Sequence, residues 1–355
     1  MSTFSINPAL KQKLLESGFT VLMDLRDMKP IELSKEIGVT PKQALDILKT
    51  IKADLEAPAI GNQNLIADPE RVVEEEAFTK REVITGQTAY ALLEEELNCC
   101  RIITFCKDID VMLGGGVPTG KITEFCGVPG IGKTQMAIQL TVNVHIPAAF
   151  GGAEGHAIYI DTEGSFMIER AVEMAEALVE HIASLRALQE EQLKESPDAP
   201  PLPPPLETTQ ILENIHYYRI HDYIEQIALV NILPAFLSEH PAVRLIVVDS
   251  ISFHFRHDFT DMSARSRILQ GMANQLLEMG IKYNVAVVFV NQMTTRFTNE
   301  KAVLVPALGE TWSHVAANRV MLYWEKGVRY ANLTKSPDNK NDIVPFVVTP
   351  EGIRT

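Results

Sequence analysis

The sequence predicts an α/β fold in which a mostly parallel sheet is flanked by helices, with a small all-helical domain in front of it. Two observations support this prediction. From about residue 101 onward, short apolar runs alternate with helical stretches, and strands that are apolar along their whole length are typical of a sheet covered on both faces. The first 55 residues instead contain short helical periods separated by turn residues.

The composition excludes several classes of protein. With 46% hydrophobic and 22% charged residues, it is that of an ordinary soluble globular chain. No apolar run approaches the roughly 20 residues that span a bilayer, and the N-terminal stretch lacks the pattern of a signal peptide. We therefore expect a protein of the cytosol or nucleus, without membrane contact. The formal net charge of −14 argues against a broad basic surface, so any contact with nucleic acid must be local.

Residues 1–55 are predicted to form the first domain. Three helices are expected, at 8–17, 30–37 and 40–51. A glycine follows each of the first two, and Thr40-Pro41 begins the third. The last two form a hairpin around Gly38. Helix-hairpin-helix units of this kind present backbone N–H groups to DNA phosphates, but a module that serves only packing or protein contact has the same spacing. The sequence leaves both interpretations open.

A linker and the core domain follow. Residues 56–100 contain several structure-breaking pairs such as Ala57-Pro58 and Asp68-Pro69, with one short helix predicted in TAYALLEEEL. Residues 101–355 are the predicted α/β core, with buried strands at 122–127, 157–161, 244–249 and 285–292. An exposed insertion is predicted over 186–210, because the stretch SPDAPPLPPPLETT is too rich in proline for a helix or a central strand. A plain loop is the favoured interpretation, and a polyproline docking peptide, which the stretch resembles, is the alternative.

The strongest chemical signal is an eight-residue stretch between the first predicted strand and an apolar helix. It has the form G-x-x-x-x-G-K-[ST] and consists of Gly127, Val128, Pro129, Gly130, Ile131, Gly132, Lys133 and Thr134. Glycines let such a loop curl so that several N–H groups point at a phosphate, and the helix start adds partial positive charge. We expect Lys133 to reach the β- and γ-phosphates of ATP and the Thr134 hydroxyl to ligate Mg²⁺.

Polar residues end the other predicted strands. Asp249 follows the apolar run 245–248 and is the second candidate ligand for Mg²⁺. Glu163, in the sequence DTEG, is the candidate that polarises the attacking water. Gln292 is expected to sense whether the γ-phosphate is present and to transmit this to residues 293–310. This segment has few core signals, and we expect it to be mobile. The alternatives are a capping aspartate, a structural turn acid and an ordinary strand-end amide.

The order of these motifs resembles the RecA superfamily. The small helical domain is similar to that of the eukaryotic and archaeal strand-exchange recombinases, the Rad51 family, and the set is closest to one paralogue of that family. The resemblance spans nearly the whole chain and is carried by GGGVPTGKITEFCGVPGIGKTQ, YIDTEGSF, LIVVDSISFHFRHD, VNQMTT and LVPALGETWSHVAANR. It implies a RecA-like P-loop ATPase core that binds ATP and Mg²⁺ between subunits and assembles on DNA during homologous recombination.

The resemblance also implies roles for individual residues. Gln135 joins the nucleotide-binding set and Arg170 matches a position that stacks on adenine. Pro306, Gly309 and His314 match positions that face the ATP of a neighbouring subunit. Two loops, at about 256–267 and 293–308, correspond to DNA-binding loops, and their candidate contacts are Arg256, Arg265, Arg267 and Arg296.

Departures from the recombinase pattern refine the expected function. The first loop is short and carries Asp261 in place of a central arginine, and the second loop is also short. Recombinases self-assemble through an aromatic–x–x–Ala motif in the linker, whereas residues 87–90 read Gln-Thr-Ala-Tyr, which argues against homopolymerisation and independent strand exchange. We therefore expect a paralogue that binds single-stranded and branched DNA in a heteromer and assists recombinase filament assembly in double-strand break repair. Its ATPase activity alone is expected to be weak.

A second hypothesis is a scaffold. In this interpretation, ATP is bound mainly as a structural element at subunit interfaces, and hydrolysis is incidental. The net charge of −14 and the altered DNA loops favour it. A helicase or kinase that shares the P-loop is a more distant class, and the DTEG and NQ strand ends do not suit a kinase.

Overall fold

The computed structural model describes residues 17, 30–40, 44, 47–48, 88–97, 99–193, 202–256, 259, 261–298, 301–309 and 311–355. The chain divides into two compact units, Met1–Glu96 and Leu97–Thr355. No helix in the described ranges is long and apolar enough to cross a membrane.

The described part of the first unit is helical. Helix α1 spans Pro30–Glu36, close to the predicted 30–37, and Gly38 follows with a left-handed φ of +63° that favours glycine. Residues 44, 47 and 48 are also helical, within the predicted third helix, whereas the predicted helix at 8–17 lies outside the described residues except for residue 17. Helix α2, Ala89–Leu97, is the short helix predicted near the end of the linker.

The second unit alternates strands and helices as predicted. Its helices are α3 Lys107–Met112, α4 Lys133–Asn143, α5 Ile168–Leu193, α6 Thr208–Glu213, α7 Tyr223–Glu239 and α8 Met262–Tyr283, with 3₁₀ turns at Ala148–Phe150 and Thr311–His314. Its strands are β1 Arg101–Ile102, β2 Val117–Pro118, β3 Ile122–Gly127, β4 His156–Asp161, β5 Ile215–Arg219, β6 Val243–Asp249, β7 Ala286–Asn291, β8 Met293–Thr298, β9 Lys301–Pro306, β10 Asn318–Glu325, β11 Val328–Lys335, β12 Ile343–Thr349 and β13 Gly352–Arg354.

A nine-stranded sheet organises this unit, in the order β13-β12-β11-β10-β3-β7-β6-β4-β5. Strands β10, β3, β7, β6, β4 and β5 run parallel, while β11, β12 and β13 extend the sheet antiparallel. One face packs under α4 and α5 and the other under α7 and α8. This confirms the predicted mostly parallel sheet flanked by helices. The four predicted strands are β3, β4, β6 and β7, and their carboxyl ends all meet at one edge of the sheet.

The two segments predicted to be irregular are partly ordered. Helix α5 runs for 26 residues, to Leu193, so the first part of the predicted insertion is helical. The residues from 202 to 207 have no regular structure, and the guanidinium of Arg186 donates to the Pro203 carbonyl. In the second segment, β8 and β9 form an antiparallel hairpin, in which the side chains of Val303 and Leu304 are exposed.

His145, just after α4, makes stability pH-dependent. Its ring is buried and its Nδ1 donates to the Val142 carbonyl; burial lowers the pKa of His145 to about 4. Because the unfolded ring takes up a proton near pH 6.5 and the folded ring does not, stability falls as pH drops from about 7 to about 5, by roughly 2 kcal/mol. We expect His145→Asn to reduce this loss in urea unfolding at the two pH values. The control His221→Asn, at an exposed histidine, should lose as much stability between the two pH values as the unmodified protein. An equal loss in His145→Asn would contradict the assignment of the pH dependence to His145.

Candidate nucleotide-binding site

A glycine cup connects β3 to α4 at the carboxyl edge of the sheet. Gly130 and Gly132 have φ values of +77° and +116°, the left-handed region in which side chains are strained. A Cβ atom on Gly127 would lie 2.7 Å from the Leu322 carbonyl oxygen and 2.8 Å from Ile131 Cγ2. The backbone therefore closes here only with glycine, and it turns directly into the start of α4, where free N–H groups and the helix dipole favour an anion.

Lys133 is the first residue of α4 and points back into the cup. Its Nζ donates to the Val128 carbonyl at 3.1 Å. Burial lowers the pKa of Lys133, and the negative charges of Asp249 and Glu163 oppose this shift. The lysine therefore sits between the glycine loop and the two acids that the sequence singled out.

Thr134 and Asp249 meet across the cup. The threonine hydroxyl donates to Asp249 Oδ2 at 2.7 Å, and the Tyr159 hydroxyl donates to the same oxygen at 2.8 Å. Asp249 is 1% exposed, and burial raises its pKa to about 6. A hydroxyl and a carboxylate beside a phosphate cup are the hard oxygen ligands that Mg²⁺ prefers, so these residues fit a Mg-nucleotide. Tyr159 was not among the predicted site residues, because it lies inside an apolar strand run and nothing in the spacing marks it.

Glu163 lies in the turn after β4 and its carboxylate contacts two neighbours. Ser250 Oγ donates to Glu163 Oε1 at 2.5 Å and Gln292 Nε2 donates to the same oxygen at 2.6 Å. The turn itself is organised by buried Asp161, whose Oδ1 accepts from the backbone N–H groups of Glu163 and Gly164 at 3.0 and 2.6 Å. The sequence marked this aspartate only as part of DTEG, and its holding role was not predicted.

The four arginines predicted to contact DNA lie in different surroundings. The guanidinium of Arg256 donates to the side-chain oxygen of Gln292, and Arg296 is exposed on β8. Arg265 and Arg267 are half-buried on α8. Asp261, in the first candidate DNA loop, caps α8, because its Oδ1 accepts from Ser263 N–H at 2.8 Å and Ala264 N–H at 3.3 Å.

Arg170, the predicted adenine-stacking residue, lies on α5, beside the glycine cup. Its Nε donates to Gln135 Oε1 at 3.0 Å, and its Nη2 donates to the Thr349 carbonyl at 2.9 Å. The structure thus brings Arg170 and Gln135 together, and ties both to the turn between β12 and β13.

A buried acid that was absent from the predicted set links the cup's strand to β7, to the 3₁₀ turn at Thr311–His314 and to β10. Glu124 of β3 is fully buried and accepts from Asn291 Nδ2 at 2.7 Å, Trp312 Nε1 at 2.8 Å and Arg319 Nε at 2.5 Å. His314, predicted to face a neighbouring subunit, is exposed, and Lys335 Nζ donates to its carbonyl at 3.3 Å. The segment with Pro306, Gly309 and His314 is anchored here.

A glycine cup, a lysine at a helix start and a hydroxyl–carboxylate pair at the carboxyl edge of a parallel sheet define a P-loop nucleotide-binding protein. A family model described as Rad51 matches residues 96–195 and 205–355. The chain belongs to the Rad51 family, with a RecA-like core domain.

Two relatives specify the position within that family. The chain is 40% identical over 353 residues to the DNA repair protein RAD51 homolog 3 of Cricetulus griseus, a match that covers 99% of this chain and 91% of the relative. It is 48% identical over 255 residues to the protein of the same name from Dictyostelium discoideum, covering 71% of this chain and 65% of that relative. These matches confirm the likeness to one paralogue of the family.

Proposed function

We propose that this chain is a DNA-stimulated ATPase of homologous recombination. It binds Mg-ATP in the glycine cup and single-stranded or branched DNA at the loops beside it. As a recombinase paralogue in a heteromer, it assists the assembly of recombinase filaments during double-strand break repair in the nucleus. Its relatives are named as DNA repair proteins, and the cup and its acids supply the chemistry.

The observation that carries the ATPase proposal is the convergence of Lys133, Asp249 and Glu163 at one edge of the sheet. Lys133 binds the β- and γ-phosphates. Thr134 and Asp249 hold Mg²⁺, which neutralises phosphate charge when bound. Glu163 accepts the proton of the water that attacks the γ-phosphorus, the bond from that phosphorus to the bridging oxygen breaks, and ADP and phosphate leave.

The DNA-binding proposal rests on position. Arg256 lies in the turn that follows β6, where it contacts Gln292 just after β7. The hairpin that carries Arg296 begins at Met293, so both loops start at the sheet edge that holds the cup. Gln292 precedes the hairpin and contacts Glu163 at 2.6 Å, which supports communication between a DNA loop and the candidate base. Contact between these arginines and DNA phosphates should make binding salt-dependent, and the net charge of −14 keeps such contact local.

A second candidate function is the ATP-bound scaffold with incidental hydrolysis. It is favoured by the first loop, where Asp261 is used as a helix cap and Arg265 and Arg267 are half-buried. In that case the nucleotide would stabilise subunit contacts and DNA would not change turnover.

The test of the proposed function uses the chain co-purified with its natural partner subunits. Calorimetry should detect Mg-ATP uptake, and Lys133→Ala should weaken it at least about tenfold because a charged phosphate contact is lost. A single-stranded oligonucleotide at low salt should raise ATP turnover in the unmodified complex. The matched variant Lys326→Ala, in the turn between β10 and β11, should bind Mg-ATP normally.

Two results would reject the proposal. Absence of Mg-ATP uptake by the folded complex would remove the nucleotide function altogether. Uptake without oligonucleotide binding or any rise in turnover would leave the scaffold as the better description.

A further inference from the structure

A row of hydrogen-bonded side chains joins the start of the first candidate DNA loop to the candidate base. The Arg256 guanidinium donates to Gln292 Oε1, and Gln292 Nε2 donates to Glu163 Oε1 at 2.6 Å. Ser250 Oγ donates to the same Glu163 oxygen at 2.5 Å. We call the first three residues the Arg256–Gln292–Glu163 relay. It runs from an exposed arginine to a half-buried carboxylate.

The chemistry of the relay fixes the orientation of its central amide. A guanidinium can only donate and a carboxylate can only accept, whereas an amide has one end of each kind. Arg256 therefore turns the oxygen of Gln292 toward itself and leaves the NH₂ group on Glu163. Two donors, Ser250 Oγ and Gln292 Nε2, already occupy Oε1, so fewer acceptor positions on this carboxylate are open to an attacking water.

We propose that Arg256 is a positioning residue, which holds Gln292 on Glu163 until a DNA phosphate takes its guanidinium. This inference rests on the proposed role of Glu163 as the base. An arginine binds a phosphate with charge-assisted, often bidentate hydrogen bonds, which are stronger than its bond to a neutral amide oxygen. Loss of Arg256 from Gln292 lets the amide rotate away from Glu163. DNA binding would thereby raise ATP turnover through side-chain contacts that include no atom of ATP.

The experiment compares Arg256→Met and Arg256→Lys in the complete heteromer, with Lys282→Met as the control. Lys282 is an exposed cation on α8 outside the relay. We expect Arg256→Met to raise the DNA-free kcat about fivefold, the change in rate that corresponds to the free energy of one hydrogen bond. The KM for ATP should stay unchanged. An oligo-dT strand should then add little further stimulation. Arg256→Lys, which keeps a donor, should stay within about twofold of the unmodified complex, as should the control.

Several results would overturn the proposal. One is a DNA-free kcat of Arg256→Met that is unchanged or lower while its melting temperature with Mg-ATP equals that of the unmodified complex. Another is an equal rise in Arg256→Lys. Inorganic phosphate is added at the same concentration as the nucleotide residues of the oligo-dT. If it stimulates the unmodified complex equally, turnover responds to a free phosphate anion and not to DNA, and the proposal fails. The DNA-free arm tests the relay even if oligo-dT neither binds nor stimulates, an outcome that would reject the proposed function instead.

Discussion

Replacing Glu163 by glutamine is expected to lower ATP turnover by about 10²- to 10⁴-fold, the usual contribution of a positioned general base. Mg-ATP binding should change by less than about threefold, because the base acts on the transition state and makes no ground-state contact with the phosphates. The substitution should not disturb the fold, since the side-chain oxygen of a glutamine can still accept from Ser250 and Gln292, as Glu163 Oε1 does at 2.5 and 2.6 Å. Single-turnover hydrolysis and calorimetry on the same complex separate the two quantities.

The matched control for this experiment is Glu176→Gln, which removes an exposed acid from α5. Its turnover should equal that of the unmodified complex. If Glu163→Gln hydrolyses ATP at the normal rate, Glu163 is a turn residue, and another group must accept the proton.

Glu163→Gln also separates the two candidate functions in cells. A DNA-stimulated ATPase requires hydrolysis, so cells that carry Glu163→Gln should repair double-strand breaks poorly. A scaffold requires only the bound nucleotide, so such cells should repair normally while Lys133→Ala cells do not. The comparison works because the first variant keeps the phosphate contacts and the second removes one of them.

The nucleotide site could be predicted from sequence because its parts follow strands that are visible as continuous apolar runs. Once β3, β4, β6 and β7 are placed in one parallel sheet, their carboxyl ends must share an edge. Lys133, Glu163, Asp249 and Gln292 then have to lie near one another. The candidate DNA contacts were assigned only by resemblance to the recombinases. The contact between Arg256 and Gln292 could not be predicted, because it depends on the conformation of a loop and not on the spacing of residues in the sequence.

Other parts of the fold carried no such signal. Strand β5 lies at the edge of the sheet and its sequence, IHYYR, is half-buried with no apolar run. Strand β12 alternates exposed and buried residues and contains Pro345, a residue that is typical only of edge strands and weakens the pattern of a strand. The antiparallel side of the sheet was therefore not predicted. Tyr159, Asp161 and Ser250 were missed for a different reason: each acts by contacting a residue that is distant in sequence or by holding a turn.

Glu124 is the clearest case of a residue whose importance comes only from the fold, and its removal should produce the largest loss of stability. Within ITEFCG it is one acid in an apolar strand, yet it accepts from Asn291, Trp312 and Arg319. Glu124→Ala would leave the Arg319 guanidinium, whose side chain is 11% exposed, without its counter-charge. Breaking a buried ion pair in this way costs about 3–5 kcal/mol, which urea unfolding should detect as a lower midpoint at constant slope.

A double variant distinguishes an unpaired charge from a general packing defect. Glu124→Met combined with Arg319→Met removes both charges and restores apolar volume, so it should be more stable than Glu124→Ala alone. A Glu124→Ala variant that loses less than about 1 kcal/mol would show that the pair contributes no more than an exposed one. Hydrogen exchange gives a second readout, because the Trp312 side chain loses an anchor in either variant and the amides of 307–309 and 311–317 should exchange faster. Ala307 N–H donates to the backbone carbonyl of Gln292 at 2.8 Å, so the loosened segment is bonded to the residue whose side-chain amide contacts Glu163.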